Sequence, residues 1–160
     1  MLETLAHGAA AGFAALAPFV LLLKDFYIRP TYVFSKQLAP VIEAEWQDRF
    51  DTVLPFVGGD GAFSYGVAFY GRSDAISFPY LDLGQAPWID PDEVERRGMV
   101  VLCRVTDAAC LAQMAERMDG MAGSFQLDLT ATGRLYCKTY TSPTIRAGFV
   151  PPAGPAAQSR

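Results

Sequence analysis

Three cysteines carry most of the chemistry this sequence could perform. Cys103 closes an apolar run, Cys110 follows at the start of a helical pattern, and Cys137 stands apart. A strand that turns into a helix can bring two such positions within about 6 Å, as a disulfide requires. Closing so short a loop stabilises by roughly 2–3 kcal/mol on the chain-entropy account. Two small buried thiols are the plain alternative for cysteines in apolar surroundings. We expect the Cys103–Cys110 bridge, with Cys137 left over on a strand. Zinc is not expected, because three separated cysteines without a usable histidine do not make a tetrahedral set. The single histidine, His7, lies in the N-terminal apolar run, so no thiolate–imidazole pair is expected either.

Gly58-Gly59-Asp60-Gly61 follows an apolar run and precedes a helical pattern, the place where a phosphate binds in many α/β proteins. It matches neither the P-loop nor the G-x-G-x-x-G fingerprint, and a capped turn explains it. Asp82, Asp90, Asp92, Glu93 and Glu95 are numerous, but most fall at helix starts, where capping and the helix dipole account for them. No nucleophile–base arrangement is identifiable. No catalytic residue, cofactor site or metal set is therefore assigned.

The elements that must position these residues follow from periodicity. Leu38, Val41, Ile42 and Trp46 form one apolar stripe of a helix over residues 35–49, which Pro40 is expected to kink or to start. Val53–Val57 is a short apolar strand that Pro55 moves towards a sheet edge. Asp60 caps a helix running to about Tyr70, with Phe63, Val67 and Tyr70 on one face, and Gly71 ends it. Ala75–Phe78 reads as a strand. Asp90 caps a helix with Pro91 first, Glu93 in a capping-box position, Ile89 and Val94 as a hydrophobic staple, and Gly98 as its stop. Met99–Cys103 is a buried strand. Asp107 caps the next helix, in which Leu111, Met114, Ala115 and Met118 share a stripe and Gly120 terminates. Ser124–Thr130 alternates cleanly, and Arg134–Thr141 is expected to return as its hairpin partner. Helices alternating with strands imply a small three-layer α/β domain with a mostly parallel sheet and a C-terminal antiparallel hairpin.

Ahead of this domain, residues 5–23 read LAHGAAAGFAALAPFVLLL, without a Lys, Arg, Asp or Glu. A helix of that length just crosses a hydrocarbon core of roughly 30 Å. A core helix and a signal peptide are the alternatives, the latter opposed by Glu3 and by the lack of a cleavage-like sequence. We expect a transmembrane helix and connector over 1–31, an α/β domain over 32–150 and a disordered tail over 151–160. The positive-inside rule alone would hold the domain in the cytoplasm, whereas the cysteine pair points to an oxidising compartment. The chain has 13 Lys and Arg against 17 Asp and Glu, with no basic cluster, which argues against nucleic acid as a partner.

Taken in order, SKQLAPVIEAEWQDRF, then VLPFVGGDGAFSYGVAFYGRSDAISFPYLD, then APWIDPDEVERRGMVVLCRVTDAACL and the closing GFVPP resemble a known arrangement. It is that of the C-terminal extracytoplasmic region of bacterial glycosyltransferase family 39 membrane proteins, relatives of protein mannosyltransferases and aminoarabinose transferases. The resemblance implies a domain in the periplasm, attached to the inner membrane, that assists transfer of a sugar from a polyprenyl-phosphate carrier. Such enzymes place their catalytic acid in an early loop between spans that this chain lacks, so none of their catalytic residues transfers to a position here. A truncated gene, a split enzyme and a free-standing remnant all remain compatible with that departure. The expected partners are the lipid bilayer and the missing membrane part of the transferase; an independent membrane-anchored binding module is the alternative.

Overall fold

The computed structural model describes residues 31, 33–135 and 138–153. The expected span over residues 5–23 and Cys137 lie outside them, as does the tail beyond Ala153. Among the described residues no helix is long and apolar enough to cross a membrane.

The first helix, α1, covers residues 33–50. Leu38, Ile42 and Trp46 are buried, while Val41 is 43% exposed, so the expected stripe is narrower by one residue. The helix neither starts at Pro40 nor stops there. Pro40 and Lys36 are both exposed, so the carbonyl deprived of its partner faces water, which can satisfy it.

The strands β1 (Phe56–Gly59), β2 (Ile76–Pro79), β3 (Met99–Arg104), β4 (Phe125–Leu129) and β7 (Ile145–Val150) make one sheet in the order β2-β1-β3-β7-β4. The pairs β1–β2 and β1–β3 are parallel, whereas β3–β7 and β4–β7 are antiparallel. The sheet is thus mixed, which corrects the expectation of a mostly parallel one. Pro55 does not put β1 at an edge. It sits one residue ahead of the strand, where no ladder donor is lost, and its carbonyl accepts from the Ile76 N–H at 2.9 Å.

The hairpin expectation is also corrected. β4 pairs with β7, and the residues after it form a separate two-stranded hairpin, β5 (Thr132–Leu135) with β6 (Lys138–Thr141). The alternation of β4 was legible and holds, with Gln126 and Asp128 outward. Its partner was missed because Ile145–Val150 contains Arg146 and Gly148 and follows a proline, so it lacks the look of a buried strand. Gly148 is needed there, because the Met114 and Met118 side chains occupy the space a Cβ would fill. The start of the tail is less idle than expected: Pro151 is buried and the Ala153 N–H donates to the Glu95 carbonyl at 3.2 Å.

The helices α2 (Gly61–Tyr70), α3 (Pro91–Arg97) and α4 (Ala108–Met118) complete three layers. Val57, Val100, Leu102, Ile145, Ala147 and Phe149 pack with α1 and α2 on one face. Phe56, Met99, Val101, Cys103 and Val150 pack with α3, α4 and the loop before α3 on the other. That alternation is the period-2 pattern of a sheet covered on both sides. The connection through α2 leads from β1 outward to β2; the one through α3 leads back past β1 to β3, on the opposite face. Opposite directions on opposite faces keep a single handedness, as parallel crossovers require.

Candidate functional site

Neighbouring strands β1 and β3 send their following helices, α2 and α4, to opposite faces of the sheet. That makes the carboxyl ends of β1 and β3 a topological switch point, where open α/β sheets place their ligands. The sequence builds this edge from Gly59-Asp60-Gly61, from Arg104, and from Tyr80 at the end of β2.

Asp60 is the centre of the edge. One oxygen, Oδ1, accepts from the Ala62 and Phe63 backbone N–H groups at 3.0 and 3.3 Å, capping α2. The other, Oδ2, accepts from Arg104 Nε at 2.9 Å. The Arg104 guanidinium also lies 5.7 Å from the centroid of Phe63. The Asp60 N–H donates to the Leu102 carbonyl at 2.7 Å, and the Tyr80 N–H donates to the Gly59 carbonyl at 2.6 Å, so this corner joins all three parallel strands. Gly59 has φ +94°, and a Cβ there would collide with the Leu102 carbonyl. Tyr80 and Leu81 follow one another at φ 56° and 54°, a backbone region that bulky residues rarely adopt. The Tyr80 ring fills the space over Gly61.

Chemically, this edge holds itself together. An anion arriving at the amino end of α2 would meet a carboxylate already bound to the N–H groups it needs. The loop that sequence reasoning singled out at residues 58–61 is therefore a capped corner. No histidine occurs among the described residues. The Ser64 hydroxyl is buried, donates to the Gly61 carbonyl at 3.3 Å and accepts from Ser77 Oγ at 3.2 Å, with no base beside it.

The remaining carboxylates resolve into structural roles. Asp90 accepts from the Asp92 N–H at 3.0 Å, Asp82 from the Gly84 N–H at 2.8 Å, and Asp107 from the Cys110 N–H at 3.1 Å. Glu93 pairs with Arg97 at 2.8 Å rather than closing a capping box. Ile89 and Val94 are both buried in the core under α3. Of the carboxylates singled out in the sequence, Glu95 lines a cavity. That cavity, about 430 Å³ and open to solvent, lies between α3 and α4, with Leu81, Val94, Met99 and Val150 among its lining residues. Gln113, Glu116 and Arg117 of α4 and Asp119 just after it also line it, and none of these was picked out by sequence reasoning, since along this helix they read as an ordinary solvated face. Met99 opens β3 and Val150 ends β7, so the cavity belongs to the opposite end of the strands from Asp60.

Cys103 and Cys110 are brought together, with sulfurs at bonding distance, 1.97 Å, and Cα atoms 5.6 Å apart. The Asp107 cap fixes the first turn of α4 and thereby presents Cys110 to the end of β3. Among the described residues no group of three or more His, Cys, Asp or Glu side chains could hold a metal ion. Comparison of the chain with protein-family models, curated proteins and solved structures gives no match. The resemblance to family 39 glycosyltransferases thus draws no support from them.

Proposed function

We propose that this chain is a membrane-tethered accessory domain that works outside the cytoplasm and performs no catalysis of its own. The observation that carries this reading is the Cys103–Cys110 pair, since disulfides persist in oxidising compartments and are rare in the cytosol. Residues 5–23, uncharged and long enough for a bilayer core, supply the tether. The self-satisfied edge around Asp60 supports a structural rather than a catalytic role. The resemblance of its residue order to the C-terminal region of family 39 enzymes suggests the assembly served: an inner-membrane glycosyltransferase drawing on a polyprenyl-phosphate sugar, with this domain on the periplasmic side.

Two measurements test the reading. Full-length protein should stay in the membrane pellet through an alkaline wash, and external protease should cut its α/β domain in spheroplasts. Recovery in the supernatant, or protection from the protease, overturns it. The glycosyltransferase connection further expects a multi-span membrane protein that copurifies with this chain; its absence removes that part. A second reading, an independent membrane-anchored binding module, is favoured by the cavity between α3 and α4, whose volume falls in the range of small-molecule sites. Thermal-shift screening of the full chain against sugars and nucleotides addresses it: a flat panel counts against it.

A further inference from the structure

The main sheet ends in two outer strands, β2 and β4, and they are guarded unequally. An outer strand with unpaired N–H and C=O groups invites another strand, so folds usually blunt it. On β2, the Ile76 N–H donates to the Pro55 carbonyl and the Tyr80 N–H to the Gly59 carbonyl, both towards β1. Alternation then turns Ser77 and Pro79 outward, and Pro79 has no N–H to offer. That edge is blunted.

The β4 edge has no such guard. The Val105 N–H donates to the Thr144 carbonyl at 3.1 Å, which fixes the phase of the β3–β7 ladder. Arg146, Gly148 and Val150 therefore turn their backbone groups to β3, and Ile145, Ala147 and Phe149 turn theirs to β4. By the register of that pair, Phe125, Leu127 and Leu129 bond to β7, while Gln126 and Asp128 face outward. Among the described residues β4 pairs with β7 alone, so those outward backbone groups are open. The charge of Asp128, the one acid on the strand, is matched by Arg146 and does not repel an arriving strand. Phe125, Leu127 and Leu129 lie half-buried at the margin of the core.

We propose that β4 pairs antiparallel with β4 of a second copy about a two-fold axis at Leu127, joining two sheets into one. Outward residues must face outward residues, which leaves axes at Gln126, Leu127 or Asp128. An axis at Asp128 sets two carboxylates directly opposite each other, an unfavourable pair. An axis at Gln126 calls on the Ser124 N–H, which already donates to the Met121 carbonyl at 3.2 Å. An axis at Leu127 sets Gln126 of each copy opposite Asp128 of the other, and every outward N–H and C=O of these residues finds its complement. On the core side Leu127 meets Leu127 and Phe125 meets Leu129, so all three half-buried side chains gain cover. This match of the edge with itself favours a second copy over an unrelated strand. The pairing uses the domain's own edge and goes beyond the accessory role, with or without the tether.

Cysteine cross-linking of the full-length chain in mild detergent tests the register, in a Cys137→Ser background. Across the axis the two Leu127 positions form a non-hydrogen-bonded pair, with Cα atoms about 4.5 Å apart and within disulfide reach. Leu129 is offset from its own counterpart by four residues, roughly 13 Å along the strand. Leu127→Cys should therefore give a covalent dimer on mild oxidation, and Leu129→Cys should not. Gln126→Pro removes an outward donor and spares the β7 ladder, so it should halve the sedimenting protein mass while melting close to the parent. If Gln126→Pro melts early, the cross-linking pattern decides. A monomeric parent without the Leu127→Cys cross-link overturns the proposal. So does a dimer that survives a well-folded Gln126→Pro, or equal cross-linking at both positions, since the copies then meet elsewhere. Cross-linking of Leu127→Cys to another protein in native membranes, and not to itself, gives the edge to a different partner and overturns the second-copy assignment.

Discussion

Asp60 shows how much can depend on one carboxylate. It holds two backbone N–H groups of α2 and the Arg104 guanidinium at once, from a side chain that is only 13% exposed. Asp60→Ala removes the cap and leaves Arg104 without its partner, and should cost about 1–2 kcal/mol, the usual worth of a cap. Asp60→Asn keeps an accepting oxygen for the helix and loses the charge, so it should retain most of the stability. Urea unfolding of the two variants separates the contributions; equal losses would show that the ion pair, and not the cap, dominates. One residue earlier, Gly59→Ala places a methyl group against the Leu102 carbonyl at a backbone angle that favours glycine. A loss of at least about 2 kcal/mol is expected from that strain, seen as an earlier urea midpoint. The cap at Asp60 was legible because an acid before a helical pattern has few other uses. The Arg104 pairing was not, since nothing local links the end of β3 to the start of α2.

The same division between local and distant information governs the elements. Asp90-Pro91 and Asp107 announce their helices within a few residues, and α3 and α4 begin where those signals lie. Strand pairing has no such local marker. Alternation in β4 specified which side chains face the core, yet Ser124–Thr130 could not reveal that its neighbour is β7 rather than the nearer Arg134–Thr141. The β4–β7 pair is fastened on its outer face by Arg146, which donates to both oxygens of Asp128 at 2.7 and 2.9 Å. These hydrogen bonds, with the arginine charge beside them, hold the Asp128 carboxyl below its ordinary pKa, against a smaller opposing effect of desolvation. A lowered folded-state pKa contributes stability above the unfolded value and loses it as pH falls through the folded one. Asp128→Asn should therefore melt slightly earlier than the parent at neutral pH, with the difference fading as the pH drops below about 4, near the ordinary carboxylate value. Melts across that range check it; a difference that grows in acid would contradict the assignment.

For the molecule as a whole, the bridge between Cys103 and Cys110 fastens α4 to the strand at the centre of the sheet. Replacing both cysteines by serine should lower stability by roughly 2–3 kcal/mol on the chain-entropy account, and should do so without unfolding a core covered on both faces. Calorimetry of the double variant, and of the parent with and without reductant, measures the loss. Identical melts would mean that the sulfurs are not joined in solution. The three-layer architecture was legible because helical and strand periods alternate along the chain. The mixed character of the sheet was not, because it is decided by a segment near the carboxyl end whose composition resembles a loop.

That late segment has a bearing on how the protein comes into being. β7 is inserted between β3 and β4, so both of its neighbours leave the ribosome before it does. Until residues 145–150 emerge, β3 has an open side and β4 has no partner in the main sheet. The domain cannot ripen step by step as it is made; its final strand must thread between two waiting ones, a non-local event of the kind that slows β-sheet folding. A nascent chain arrested before Ile145 should remain protease-sensitive throughout, and release of the last stretch should protect β1, β3 and β4 together. During that interval the unpaired strands are open to association with other copies, and a holding chaperone would have its clearest use there.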